Sequence, residues 1–343
     1  MSSAPERLAI VVLGMHRSGT SAFTRVLSLL GCDLPKNLMG AYESNSTGHW
    51  ESTAICNLND AILKAAGSRW DDWQELDPEW LRSPSADEFR EAALATLKDE
   101  FGASPLFVLK DPRICRMLGF WVAVFDAAAI RPIFVLSLRN PLEVASSLER
   151  RNGFDLGFSH LLWLRHVLDA EAASRGMTRF QTSYDRLLEN WRDVAERSQS
   201  ALAMAWPRPS DQAASEIDAF LSDKQRHHRE ALDKVTGDPA LSIWLRESFA
   251  ILARWAGAGE NPDDYAALDR IRRDFNAAAP AFAGAIDAGR RTAEPTRALE
   301  RSLAEARAKL SEAGKVIAEG RGQLQATAGA ARNGGRAGRS ITC

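Results

Sequence analysis

The stretch LAIVVLGMHRSGTSAFTRVLSLLG, residues 8–31, constrains the fold more than any other part of the chain. Leu8 to Leu13 is a short apolar run rich in β-branched residues, the pattern of a strand buried on both faces. Gly14 to Ser21 is a glycine-bearing turn, after which Phe23, Val26, Leu27 and Leu30 recur at helical spacing until Gly31 ends the helix. Strand, loop and helix together aim free backbone N–H groups and a positive helix end at one anion. The spacing is that of the nucleotide loop G-x-x-x-x-G-K-[ST], with Thr20 in place of the lysine. The basic residue has moved inside the loop, as Arg17.

The remaining pattern alternates strands with helices. Pro105 to Leu109 reads as a second strand running into Lys110-Asp111-Pro112-Arg113, Pro132 to Leu138 as a third ending in Arg139, and Thr178 to Ser183 as a fourth. Helices are expected over Glu51 to Ala66, from Ser85 (with Ser85 and Glu88 as a capping box), over Cys115 to Ala129, from Asn140, and over Ser159 to Arg175. Such alternation implies an α/β fold, a parallel sheet flanked by helices with right-handed crossovers. Ligands in these sheets bind at the carboxyl ends of the strands, so Gly14 to Ser21, Lys110 and Arg139 should face one crevice. Residues 1–206 form this core and 207–284 a helical continuation of it. The segment 285–326 is expected to be a helical or weakly coiled-coil tail, and 327–343, poor in large apolar residues, to lack structure.

Composition narrows the function classes. With 343 residues, 45% of them hydrophobic, the chain can bury a sizeable core. A net charge of −2 gives no global reason to expect nucleic acid as a partner. Cys32, Cys56, Cys115 and Cys343 are scattered without metal-ligand spacing, and no metal is expected. The chain enters its first strand directly, without a signal peptide or an apolar run long enough for a bilayer, so a cytoplasmic protein is expected. From Leu299, the residues Leu303, Ala306, Leu310, Ala313, Ile317 and Leu324 follow steps of four and three, interrupted only at Gly320. That heptad signal allows self-association through the C-terminal helix. Trp70, Trp73 and Trp80 either line a substrate groove or plug a helix–loop junction.

Arg139-Asn-Pro-Leu-Glu-Val-Ala-Ser-Ser147 offers a second anion site. Asn140 caps a helix that follows the strand-end Arg139, and Ser147 lies two turns from Asn140 on the same face. On these residues the chain resembles the sulfotransferases that use 3′-phosphoadenosine 5′-phosphosulfate (PAPS). Arg17-Ser18-Gly19-Thr20-Ser21 is similar to the family's 5′-phosphosulfate loop, and Arg139 with Ser147 to its 3′-phosphate site. Lys110-Asp111-Pro112-Arg113 and Ser183-Tyr184-Asp185-Arg186-Leu187-Leu188 are weaker matches, over a resemblance running from about residue 8 to 230.

The family's animal members carry a histidine two residues after the strand-end lysine, where this chain has Pro112, and close the site with an Arg-Lys-Gly segment not found here. Gly48-His49-Trp50-Glu51 is closer to the Gly-aromatic-aromatic-Glu turn of bacterial members. The resemblance implies a P-loop-like fold, PAPS as co-substrate, and a carbohydrate or glycoconjugate acceptor, with Trp50, Trp70 and Trp73 available to stack on sugar rings. Gly14, Arg17, Ser18, Gly19, Thr20, Ser21, Arg139, Ser147 and Tyr184 would hold the nucleotide, with Tyr184 equally readable as a core anchor. Glu51 would be the base, with Arg17 and Lys110 neutralising the transferring group. His49, Glu43 and Asp111 are rival bases, and Glu51 is also readable as a first-turn helix residue placed by the dipole. His227 and His228 read as a solvated helix face. Two other classes stay open: a P-loop kinase or nucleotidase, against which the missing lysine counts, and a non-catalytic scaffold acting through its C-terminal helix.

Overall fold

A computed structural model describes residues 6–40, 48–221 and 232–334. Its centre is β1 (Arg7–Leu13), every residue of which from Ala9 onward is sealed from solvent. β2 (Leu106–Lys110) pairs with one edge of β1 and β3 (Ile130–Leu138) with the other, and β4 (Arg179–Ser183) extends the sheet beyond β3. The order is β2-β1-β3-β4 and all pairings are parallel. Val12 lies level with Lys110, and Leu13 with Leu136, so the residues after each strand emerge at the same end of the sheet.

Alternation along β1 divides the core into two layers. Ala9, Val11 and Leu13 face α2 (Thr53–Ala65), α3 (Pro84–Phe101) and α4 (Leu118–Ala127), with Ile62, Leu97, Trp121 and Phe125 among the buried partners. Ile10 and Val12 face α1 (Thr20–Leu29), α7 (Tyr184–Leu202) and α8 (Asp211–Phe220) through Phe23, Leu27, Trp191 and Ile217. α5 (Pro141–Asn152) and α6 (Leu156–Ser174) lie between β3 and β4 in the chain. The short α9 (Leu232–Thr236) precedes α10 (Ile243–Ala258), where Phe249 meets Trp163 at 6.1 Å. The observed fold is α/β, a parallel sheet flanked by helices, with a helical C-terminal part.

Several boundaries differ from the sequence pattern for local reasons. α2 begins at Thr53, because the Ser52 side chain accepts from the Ile55 N–H; Glu51 therefore precedes the helix. The cap of α3 is Ser83, with Pro84 in the first turn, and not Ser85. The helix expected from Cys115 starts at Leu118, because Asp111 caps a separate 3₁₀ turn over Pro112–Arg116 and Met117 leaves helical geometry. α11 (Tyr265–Gly334) runs through residues 327–334, where the sequence pattern predicts no structure. The chain divides into two units, Met1–Ala281 and Phe282–Cys343; within the first, Leu268, Ile271 and Phe275 of α11 are buried. Among the described residues no helix is long and apolar enough to cross a membrane. Glu43, His227, His228 and Cys343 lie outside the described residues.

The cap assignment has a direct check. Ser83→Ala should lower unfolding stability by ~1 kcal/mol in urea denaturation, whereas Ser85→Ala should be near neutral.

Candidate active site

The loop after β1 is shaped by close approach. A Cβ on Gly14 would stand 2.7 Å from the Ser137 carbonyl oxygen and 2.9 Å from Thr20 Cγ2, so only glycine lets the loop leave β1 against β3. Gly19 has φ +79° and its missing Cβ would fall 2.2 Å from the Tyr184 ring. Tyr184 thus closes on the loop from the start of α7. Ser137 Oγ donates to the Ser18 carbonyl at 2.8 Å, and the Gly14 N–H donates to Cys115 Sγ at 3.2 Å. α1 begins at Thr20 with no side-chain cap and no acid in its first turn. That leaves the positive end of α1 directed at whatever the loop holds.

Arg17 has φ +72°, a left-handed conformation held although the residue carries a Cβ. Its Nε donates to Ser147 Oγ at 2.7 Å, and its carbonyl accepts from Arg139 Nη1 at 2.9 Å. Arg139 Nε also pairs with Glu143 at 2.8 Å, and its guanidinium carbon sits 5.0 Å from the Tyr184 ring centroid. Arg17, Ser147, Arg139 and Tyr184 therefore form one cluster, and the two anion motifs touch instead of facing each other across open space. Burial, Arg139 and Arg150 all press the Arg17 pKa downward, the signature of cations gathered where an anion would relieve them.

Beside this cluster, at the end of β2, Lys110 Nζ forms a buried ion pair with Glu51 and donates to Ser21 Oγ at 3.2 Å. Lys110 is 2% exposed and Glu51 6%, so neither charge is shared with solvent. Burial pushes Glu51 upward, Lys110 pulls it back, and Asp111 adds to the upward push. Ser21 Oγ also donates to the His49 carbonyl at 3.1 Å, which ties the 48–51 turn to the loop. His49 is half-buried; desolvation first, then Lys110, Arg151 and Arg17, lower its pKa to about 4, so at neutral pH it is an uncharged and feeble base. Asp111 is fully engaged. Its carboxylate accepts from Asn59 Nδ2 at 2.9 Å and from the Arg113 N–H and Nη1 at 3.0 Å each, while Asn59 Oδ1 accepts from Trp121 Nε1. Glu51, Cys56 and Asp111 lie within 4.8 Å of one another, but Lys110 and Arg113 hold the two carboxylates, and burial raises the Cys56 thiol to about 12. This donor set suits a protonated thiol between ion pairs better than a divalent cation.

Three residues of the neighbourhood escaped the sequence reading. His16, inside the loop, has a sealed Nε2 without a hydrogen-bond partner and an imidazole lying 4.8 Å edge-on to Trp70. Burial, then Arg113 and Arg151, keep it neutral. Arg151 lies over the other side of the site with its guanidinium carbon 5.5 Å from the Trp70 ring, and burial with Arg17 lowers it to about 10. Asn59 positions Asp111. Of the tryptophans, Trp70 stacks on Phe154 at 5.9 Å within this neighbourhood. Trp73 is 3% exposed and packs against Phe275, whereas Trp80 is half-buried on Phe89. Trp50 carries Arg25 over its ring at 4.7 Å.

No protein-family model matches the sequence, and no curated protein matches it. Among solved structures the chain is similar to the sulfotransferase domain from the Synechococcus PCC 7002 olefin synthase, at 16% identity and a TM-score of 0.39, covering 73% of this chain and 97% of that one. It is also similar to sulfotransferase STF1 from Mycobacterium tuberculosis H37Rv, at 14% identity and a TM-score of 0.38, covering 74% and 77%. A third is retinol dehydratase in complex with androsterone and the inactive cofactor PAP, at 13% identity and a TM-score of 0.30, covering 78% and 80%.

The buried pair makes a measurable demand. Lys110→Met leaves Glu51 buried without its cation and should cost about 3–5 kcal/mol at pH 8. In the variant the Glu51 pKa is raised in the folded state, so the folded protein binds the extra proton and the penalty should shrink as pH falls towards 5. Urea denaturation at both pH values checks the sign.

Proposed function

We propose that the protein is a PAPS-dependent sulfotransferase acting on a hydroxyl or amine, in the cytoplasm. The observation that carries this reading is the joined cluster Arg17–Ser147–Arg139 beside a loop that lacks the nucleotide-loop lysine. A donor with phosphates at both the 5′ and 3′ positions fits two adjoining anion sites, and the motif resemblance points to the same donor. The loop backbone from Gly14 through Ser18, Gly19, Thr20 and Ser21, with Arg17, would take the 5′-phosphosulfate. Arg139 and Ser147 would take the 3′-phosphate, with Arg17, bonded to Ser147, standing between the two sites. Tyr184 would serve the nucleotide chiefly by bracing the loop and Arg139.

Glu51 is assigned the base and Lys110 the group that meets the departing charge. In the resting site burial raises the Glu51 pKa, and the neighbouring Lys110 ammonium opposes that rise and favours the carboxylate. Glu51 then accepts the acceptor's O–H or N–H proton as the acceptor oxygen or nitrogen bonds to sulfur. The sulfur–oxygen bond to the 5′-phosphate breaks with its electron pair on that oxygen, and Lys110 and Arg17 neutralise it. Asp111 is unsuited to the base role, because every bond it makes holds Arg113 and Asn59 in place. A carbohydrate or glycoconjugate acceptor remains the proposal, resting now on Trp70 and Trp50, since Trp73 is buried.

The test is transfer of radiolabelled sulfuryl from PAPS to an extract of the host, comparing wild type with Glu51→Gln. A labelled product whose rate of formation falls 10²–10⁴-fold in a folded variant supports both statements. Turnover within about threefold of wild type removes Glu51 from the chemistry, and no labelled product at all counts against the transferase reading.

A further inference from the structure

Three cations around the loop are answered by acids. Lys110 pairs with Glu51, Arg113 with Asp60 and Asp111, and Arg139 with Glu143. Arg17 bonds Ser147 and, in the proposed function, meets the donor. Arg151 is answered by none of these. Among the described residues it forms no ion pair, and its guanidinium gives one hydrogen bond, from Nε to Asn152 Oδ1 at 2.6 Å. The Nη1 and Nη2 donors remain, a fork matched to a carboxylate, phosphate or sulfate.

Packing fixes where that fork stands. Arg151 follows Ser147 by four residues on α5, so the two share a helix face about 5–6 Å apart. Ser147 touches Arg17, whereas the half-buried Arg151 lies over Trp70, its guanidinium carbon 5.5 Å from the ring centroid. Trp70 is held in turn by His16 of the loop, edge-on at 4.8 Å, and by Phe154, stacked at 5.9 Å. A ring beneath a guanidinium restrains the cation without accepting the hydrogen bonds of its nitrogens.

The electrostatics agree with this placement. Burial lowers Arg151 to about 10, Arg17 and Arg113 add to the fall, and Glu51 opposes it. Behind desolvation, Arg151 also contributes to the lowering of His16 and His49. The cation is thus within electrostatic reach of the loop on one side and of Glu51 on the other. An acceptor that attacks the sulfuryl group and gives its proton to Glu51 must lie between them. The donor's own charges are matched, in the proposed function, by the loop amides, Arg17, Lys110, Arg139 and Ser147, so the anion that suits Arg151 belongs to the other substrate.

We propose that Arg151 binds the acceptor, and that the acceptor carries an oxyanionic group, a carboxylate, phosphate or sulfate, besides the hydroxyl or amine that is sulfated. The inference rests on the transferase reading and narrows it: the carbohydrate or glycoconjugate is an acidic one.

For the test, an extract of the host is divided on an anion-exchange resin before incubation with radiolabelled PAPS. Wild type should label the retained, acidic pool. Coupling that pool to an uncharged amine with a carbodiimide removes carboxylates, and phosphatase removes phosphate monoesters, so loss of labelling after one treatment names the group. In Arg151→Gln the apparent KM for the retained pool should rise about 10–100-fold with kcat within about threefold. Arg151→Lys keeps the charge without the fork and should fall between. Calorimetry should show both variants binding 3′,5′-diphosphoadenosine as wild type does, which also shows them folded.

Label confined to the unretained pool, an unchanged KM in Arg151→Gln, or weakened binding of 3′,5′-diphosphoadenosine by that variant would overturn the assignment while leaving the transferase reading intact. Failure to label either pool tells against the transferase reading itself and removes this inference with it.

Discussion

Cations held together at the end of a parallel sheet repel one another, and the site is arranged around that constraint. Arg17, Lys110, Arg139 and Arg151 converge where β1, β2 and β3 end, next to the uncapped start of α1. Their gathering is tolerable because buried acids are interleaved with them: Glu51 for Lys110, Asp111 for Arg113, Glu143 for Arg139. Each of these acids is in turn set by the fold. Glu51 is placed by the Ser52 cap of α2, Asp111 by Asn59 and its own 3₁₀ turn, and Glu143 by the first turn of α5. Residual repulsion at Arg17 is what an anionic ligand would relieve, so binding and stability are linked here.

Much of this was legible in the sequence because it rests on local rules. The four strands, their parallel pairing and the glycine loop follow from runs of apolar residues, their alternation with helices and the turn chemistry at Gly14 and Gly19. What sequence could not supply was side-chain destination. Nothing in the spacing of Arg17, Arg139 and Ser147 says that the first reaches the third, because that contact depends on the left-handed conformation at Arg17. The Lys110–Glu51 pair joins residues from different elements, and only the sheet brings them together.

The misplaced helix starts share one cause. Ser52 and Ser83 win the caps over neighbouring candidates because the turns before them present those hydroxyls to the right N–H, a choice that composition leaves degenerate. The tryptophans misled for a related reason: Trp70, Trp73 and Trp80 look alike in sequence, yet Trp73 points at Phe275 of α11 and only Trp70 stands beside the loop. Sequence spacing gives no sign of His16, because its environment comes from Trp70 and other elements distant in the chain. The sealed His16 nitrogen and the Arg151–Trp70 contact lie on the same side of the loop, around the Trp70 ring.

In the proposed function, two adjoining anion sites select a nucleotide phosphorylated at both the 5′ and 3′ positions of its ribose. Calorimetric titration of the wild-type protein with 3′,5′-diphosphoadenosine, adenosine 5′-monophosphate and ATP–magnesium measures this directly. The expected result is saturable binding of the diphosphate, at least about tenfold weaker binding of the monophosphate, and no stronger response to ATP–magnesium than to the monophosphate. Equal affinity for the two adenosine phosphates, or preference for ATP–magnesium, would contradict it.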